Sequence, residues 1–418
     1  MQPSNPLKPK LFFYTLMSMT NENKCAKCGA CSVVCPVYQA SGRESMTARG
    51  KLHLISRLDP GRASRLYAEI LSKCLLCGAC SAVCSRQLDP PAIFAAARHH
   101  LNRKAGEHRF LRSLTCEILG NEKMLQKIAG INRRALDALP EASGLRLRFG
   151  LGPGTGLAAS IEVGAGAQAA TDSPLNYFTG CYAGHLNLDI AKATKLLAQK
   201  ATASAPATSA AQCCCGLPAH SAGDLTTARA LAKKNIAAFA FNPNPILTSC
   251  ASCYSHLLSY PHLLADDPRW QKKAQDFTGR LLEFSSFFQQ KKDSLFFRPP
   301  GSDGADNKIY YHDPCHLRFQ HKITEPPRQL LRRLPGFIPV EPEHGATCCG
   351  QGGLFHLAQP ELSATISDKL ITGIQHTNAS LVTTTCTGCL LQLSREAPRN
   401  NYPVAVKHLA VLLAENLT

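Results

Sequence analysis

The second half of the chain carries one pattern twice. The first copy is Cys181, Cys214-Cys215-Gly216, and Cys250-Ala251-Ser252-Cys253; the second is Cys315, Cys348-Cys349-Gly350, and Cys386-Thr387-Gly388-Cys389. The first three cysteines of each copy stand 134 residues apart, and the closing pairs stand 136 apart. Five cysteines held in register over that distance describe a duplicated folded unit that gathers five thiols at one point. Thiolates at this density bind soft metals.

Composition narrows the setting. At 418 residues the chain has room for two or three domains, and its 44% apolar content is that of a globular protein. No stretch reaches the roughly 18 to 20 apolar residues that span a bilayer. The apolar run Leu11–Met17 is too short for a signal peptide and no small-residue cleavage site follows it, so residues 1–20 are expected to be a tail or docking segment. Twenty cysteines in a chain this long argue against a small disulfide-stapled scaffold. Their clustering points to metal ligation in a reducing compartment, hence the cytoplasm. The formal charge of +17 treats every cysteine as neutral; buried anionic clusters would offset part of it. No nucleic-acid-binding module is present in the sequence.

Residues 21–140 open with Cys25, Cys28, Cys31 and Cys35-Pro36, spaced C-x2-C-x2-C-x3-C-P. Cys74, Cys77, Cys80 and Cys84 repeat the spacing 49 residues later, with Ser85 where the proline usually stands. This run holds cubane 4Fe–4S clusters in two-cluster ferredoxins, where the fourth cysteine crosses to the other cluster. On that logic Cys25, Cys28, Cys31 and Cys84 bind one cubane, and Cys74, Cys77, Cys80 and Cys35 bind the other. Apolar residues recur with helical spacing at Arg49–Leu58, Arg65–Leu71, Pro90–Leu101 and Leu111–Leu119, which predicts a helical ferredoxin. It resembles the ferredoxin domain of respiratory iron–sulfur subunits. Cys116 reads as a buried structural residue. The basic group Arg98, His99, His100, Arg103, Lys104, His108, Arg109 and Arg112 reads as a solvated helix face or a contact with a partner subunit.

Residues 141–174 are rich in Gly, Ala, Ser, Thr and Pro and read as a linker; residues 291–307 are a second one. Between and after them, 175–290 and 308–418 alternate short apolar strands with helices. Strands are expected at Leu175–Thr179, Pro245–Ser249, Lys308–His312, Phe337–Glu341 and Leu381–Thr385. Helices are expected at Asn187–Lys200, Asp224–Phe241, Pro326–Leu334 and Gln359–His376. Such alternation predicts parallel sheets. Cys181, Cys250, Cys315 and Cys386 then fall beyond strand ends, where sites form in α/β sheets. The predicted fold class is α/β with an all-α N-terminal part: a helical two-cluster ferredoxin followed by two tandem Rossmann-like repeats. Cys213, whose counterpart is Thr347, is the spare cysteine of the repeats.

The arrangement C-x32-CCG-x33-CxxC followed by C-x32-CCG-x35-CxxC resembles the cysteine-rich CCG-domain family. Behind a two-cluster ferredoxin it is similar to the iron–sulfur subunits of glycolate oxidase and of lactate-utilisation dehydrogenases, and to a membrane-bound heterodisulfide reductase subunit. Leu217-Pro218-Ala219, Ser221-Ala222-Gly223 and the segment Tyr260–Trp270 resemble the glycolate and lactate side. Many glycolate-oxidase-type subunits lack the first cysteine of each closing pair, whereas this chain keeps Cys250 and Cys386. The five-thiol form is the heterodisulfide reductase pattern, and it implies a non-cubane 4Fe–4S cluster at Cys181, Cys214, Cys215, Cys250 and Cys253, and another at Cys315, Cys348, Cys349, Cys386 and Cys389. One zinc ion per repeat, or a cubane with a spare thiol, stays open.

His220, His312, His316 and His356 lie near these cysteines and read as structural residues before cluster-tuning ones. No flavin or nicotinamide fingerprint and no Ser-His-Asp set is found, so no catalytic residue is assigned. The resemblance implies an electron-transfer subunit of a 2-hydroxy acid dehydrogenase, with FAD in a partner subunit and a quinone or other membrane acceptor. The basic surface would hold such a chain to the inner face of an anionic membrane. A thiol–disulfide reductase acting at the CCG sites is the alternative, and a plain electron-transfer or scaffold module a third.

Overall fold

A computed structural model describes residues 25–58, 64–101, 173–298, 307–343, 345 and 347–418, together with positions 118, 124 and 127. Cys116, most of the expected Leu111–Leu119 helix, the tail 1–20 and nearly all of 141–174 lie outside them. Among the described residues no helix is long and apolar enough to cross a membrane.

The N-terminal part is helical. Its two cysteine runs adopt the same backbone, with φ of 54° at both Lys27 and Leu76 and 85° at both Gly29 and Gly78. Each run ends in a short helix, Ala30–Val34 and Ala79–Ala82, and the two pack together. The helices Ala48–Arg57, Arg65–Ser72 and Pro90–Leu101 enclose them. The first two start where a hydroxyl caps them: Thr47 accepts from the Gly50 N–H, and Ser64 from that of Tyr67. Their apolar faces, with Leu52, Ile55, Tyr67, Leu71, Ile93 and Phe94, form one core.

Among the described residues seven short strands follow: β1 (Asn176–Phe178), β2 (Ile246–Thr248), β3 (Leu281–Glu283), β4 (Asn307–Tyr311), β5 (Phe337–Val340), β6 (Leu381–Thr384) and β7 (Ala405–His408). They build two all-parallel sheets, ordered β1-β2-β3 and β5-β4-β6-β7. Helices cover both faces, so β1, β2 and β6 are buried at every residue. Pro339 cannot donate to a ladder and sits in β5, at a sheet edge. The expected fold class is the one observed. β3 and β7 were not expected, because Leu-Leu-Glu and Ala-Val-Lys-His carry little strand patterning.

The two sheets share their cores. Tyr177 and Ile190 pack in one cluster with Ile309, Tyr311 and Leu412, and Phe178 and Ile246 in another with Tyr310 and Val382. The helical part joins them at several places, among them Gln320 Nε2, which donates to Leu76 O. Val37, Ile70 and Leu75 pack against Phe355 and Ile366. Buried Arg98 donates to the carbonyls of Leu71, Ser72 and Cys74 and, across the joint, to that of Ser221. Arg98 is therefore a fastener, not part of a solvated face. His99 also reaches across, with Nδ1 3.1 Å from the Gly223 carbonyl. Arg103, Lys104, His108, Arg109 and Arg112 lie outside the described residues.

Candidate metal centres

The runs of the N-terminal part present their thiols from tight turns. Cys35, from the first run, lines one cavity with Cys74, Cys77 and Cys80 from the second. These are the four residues assigned to one cubane, drawn together from two segments. Cys25 and Cys31 lie near each other, and their mutual repulsion is among the causes, after burial, that raise the Cys31 thiol. Cys28 is exposed and Cys84 half-buried.

Two cations that sequence reasoning passed over stand beside these thiols. Lys51 is 1% exposed and donates to the Met46 carbonyl. Burial lowers its pKa, while Cys74, Cys35 and Cys80 act in the opposite sense. Arg49, two residues earlier, bonds the Lys27 carbonyl at 3.0 Å and feels the charge of Cys31 and Cys25. One helix N-terminus thus brings a positive side chain to each cysteine group. The sequence shows Arg49-Gly50-Lys51 as a basic pair at the start of an apolar helical run, but not that Lys51 is buried.

In the repeats, Cys181 and Cys315 each stand just after a strand and open a π-helical turn, Tyr182–Leu186 and His316–His321. Cys250 and Cys386 cap helices Ala251–Leu258 and Thr387–Arg399, two residues beyond β2 and β6. In each CCG loop the glycine turns the chain with positive φ, 94° at Gly216 and 84° at Gly350. The loop carbonyls are bonded: Asn235 donates to Cys214 O, Tyr260 to Cys215 O and Ser367 to Cys349 O. Cys213 stands aside, with its N–H bonded to Asn235.

The structure brings each set of five thiols together. Cys181 meets Cys214, and Cys215 is pulled down to about 6 by hydrogen bonds from Cys214 and then Cys253. Cys315 meets Cys348; Cys349 is held well below the thiol range by Cys348 and then Cys389, whose sulfur is 3.3 Å from its own. Their hydrogen-bonded neighbours Cys253 and Cys389 are pushed up. Such a buried set cannot ionise throughout without a cation in its midst, so the donor sets fit a bound metal or iron–sulfur group.

The two sets also touch. Cys250 and Cys386 are hydrogen-bond partners. Thr387 Oγ1 lies 3.1 Å from Cys250 Sγ, and Ser252 Oγ lies 3.0 Å from Cys386 Sγ. Each repeat therefore supplies a hydroxyl to the leading thiol of the other's closing pair. The ring of His408 reaches Ser249 O across the same seam. On the other side, Cys77 is raised by burial and then by Cys315 and Cys348.

The histidines divide. His316 is bonded to Ser252 Oγ at 3.2 Å, and His356 is placed by Gln351 and the Gly353 carbonyl. His220 packs on His256, ring centroids 5.1 Å apart. Burial holds His220, His316 and His356 near 4, so they are neutral. His312 is buried with neither ring nitrogen bonded within the described residues.

The cysteine-rich domain family (CCG) matches residues 175–258 and 309–394, and the 4Fe-4S dicluster domain matches residues 22–88. The lactate utilization protein A of Shouchella clausii is 32% identical over 202 residues, which cover 48% of this chain and 82% of that protein. The chain belongs to the cysteine-rich CCG-domain family of iron–sulfur oxidoreductases. Lactate utilization protein A 1 of Bacillus mycoides is 31% identical over 210 residues, 49% of this chain and 82% of the relative. A probable glycolate oxidase iron-sulfur subunit of Bacillus subtilis is 34% identical over 242 residues, and there the match spans 57% of this chain and 54% of that protein. As a CCG protein with a dicluster domain, the chain combines the two cysteine modules whose thiols the structure sets side by side.

Proposed function

We propose that the chain is the iron–sulfur electron-transfer subunit of a glycolate or lactate type 2-hydroxy acid dehydrogenase. A partner FAD subunit would oxidise the substrate, and a quinone-type acceptor would take the electrons. The observation that carries this reading is contiguity: the cysteine groups adjoin one another in series, from the exposed Cys28 through Cys77 beside Cys315 and Cys348 to Cys386 beside Cys250. Iron–sulfur clusters, when bound, take up and release single electrons. The names of the similar proteins support the substrate class.

In this reading Cys25, Cys28, Cys31 and Cys84 would hold one cubane, and Cys35, Cys74, Cys77 and Cys80 a second. Cys181, Cys214, Cys215, Cys250 and Cys253 would hold a further group, as would Cys315, Cys348, Cys349, Cys386 and Cys389. The protein's part is to fix these thiols, exclude water and set the local charge. Lys51 and Arg49 bring positive charge to the first two groups, and apolar burial surrounds the last two.

Co-purification with the partner flavoprotein, then an assay of lactate or glycolate oxidation against a quinone analogue, tests the proposal. Flavin-dependent reduction of the analogue that requires this chain is the expected result. The second reading, a thiol–disulfide reductase, draws on the retention and contact of Cys250 and Cys386. Absence of any associated flavin, together with oxidation of the metal centres by a disulfide, would favour it.

A further inference from the structure

The two five-thiol sets are alike in sequence, but one has a neighbour the other lacks. His312 follows β4 directly. Its backbone is fixed on both sides: its N–H donates to Thr383 O at 2.8 Å, and its carbonyl accepts from Thr384 Oγ1 at 3.1 Å. The side chain is 1% exposed, and neither Nδ1 nor Nε2 has a hydrogen-bond partner among the described residues. The adjacent carboxylate is not available to it, because Asp313 is engaged by Arg328 and Arg318. A ring nitrogen of His312 and the sulfurs of Cys349 and Cys389 all lie within 4.8 Å of one another. In the first repeat the residue 134 positions earlier is Phe178, fully buried and without a donor atom.

A buried imidazole with both nitrogens unsatisfied carries a desolvation cost that a phenyl ring in the same space does not. In the second repeat this ring, unpaired at both nitrogens, stands next to the thiols. Neutral imidazole is a common metal ligand, and nitrogen and thiolate together suit zinc and iron. We infer that the second centre is a mixed nitrogen–sulfur site in which His312 ligates the metal beside Cys349 and Cys389, so that the two repeats hold chemically different centres. This rests on the reading that the second thiol set binds metal.

The test uses the full chain purified without oxygen. Iron and zinc per chain are measured in the native protein and in Cys349→Ser, which identifies the metal of the second centre. An unchanged metal content in Cys349→Ser would remove the centre itself, and the inference with it. His312→Phe, the first repeat's own residue, is then challenged with a chelator. The expected result is release of that metal about tenfold faster or more. His312→Cys, which restores a donor but not the ring, slows the release again. A structural role would not distinguish Phe from Cys in this way. With histidine labelled by nitrogen-15, a nitrogen coupling in pulsed EPR is expected if the metal is iron. If it is zinc, imidazole scattering at the zinc absorption edge is expected. Native release kinetics in His312→Phe, or spectra without a histidine nitrogen, would overturn the assignment.

Discussion

Replacing Arg98 with Met should open the joint between the ferredoxin part and the repeats. Arg98 is 6% exposed, and its guanidinium serves four carbonyls: Leu71 O at 2.9 Å, Ser72 O at 3.0 Å, Cys74 O at 2.6 Å and Ser221 O at 2.7 Å. Leu71 and Ser72 end their helix, so their carbonyls have no partner further along it. Hydrogen bonds to a charged group contribute about 1.5–3 kcal/mol each. Met fills much of the stem's space but takes the charged donor from all four acceptors; Ser72 O keeps the Cys74 N–H at 3.0 Å, the other three are left to water that enters imperfectly, and a net loss of about 3–5 kcal/mol follows. Backbone relief is blocked as well, because Gly223 packs so closely on Arg98 that a Cβ there would meet its carbonyl carbon at 2.8 Å. Denaturant titration of the metal-loaded protein is the assay. Far-UV circular dichroism follows the whole fold, and visible iron–sulfur absorbance follows the ferredoxin part. Arg98→Lys, with a point charge that cannot span four acceptors, should recover less than half of the loss. A stability of Arg98→Met within 1 kcal/mol of the native protein would refute the reasoning.

Removing the buried cation in Lys51→Met should lower the reduction potential of the cluster assigned to Cys35, Cys74, Cys77 and Cys80, since positive charge favours the more negative, reduced form; redox titration followed by EPR reads it, and an unchanged or higher potential contradicts the assignment. Gly350→Ala should cost about 2–4 kcal/mol and Gly216→Ala about 1–2, because both have positive φ but only at Gly350 does a new Cβ strike backbone, 2.7 Å from Ser363 O against 3.4 Å from Ala228 O at Gly216; denaturation midpoints rank the pair. His408 is held near 4 by burial, against an ordinary value of 6.5, with one nitrogen facing Ser249 O and the other accepting from the Ala410 N–H. The unfolded chain then takes the proton first, so stability is fully present above pH 6.5 and falls by about 3 kcal/mol as pH drops towards 4. His408→Gln should show a shallower decline over that window, and an identical slope would rule the contribution out.

Much of this architecture was legible in the sequence because its signals are local or periodic. The helices Arg65–Ser72 and Pro90–Leu101 and the strands β1, β2, β4 and β6 lie within about a residue of where apolar spacing placed them. What stayed hidden depends on tertiary partners. Arg98 looks like one of several basic residues on a helix, and only the meeting of that helix with Ser221 buries it. Lys51 sits in an amphipathic pattern that says which face is apolar, not which cation is trapped beneath it. Ser252 and Thr387 are small polar residues inside the closing pairs, and nothing in their spacing announces that each serves the opposite repeat. His312 was visible as a residue near cysteines, but its lack of partners is a property of the folded surroundings.

Those crossed hydroxyls bear on why the pattern is duplicated at all. If each repeat were an independent metal-binding unit, its polar contacts would close within itself, as those of Asn235, Tyr260 and Ser367 do around the CCG loops. The leading thiols of the closing pairs do the opposite. Cys250 is served by Thr387 and Cys386 by Ser252, the two sulfurs bond each other, and the Ala251 N–H donates to Thr385 O at 2.9 Å. Tyr177 and Tyr311 brace this seam from below in matching fashion, through Ser249 at 2.7 Å and Thr385 at 2.9 Å. Neither set of surroundings is complete without the other repeat. A charge change at one leading thiol is therefore felt through a single hydrogen bond at the other, in a buried region where water does not screen it. The fifth thiol of each set is the one placed at this contact, which gives a physical reason for a chain of this kind to keep both Cys250 and Cys386.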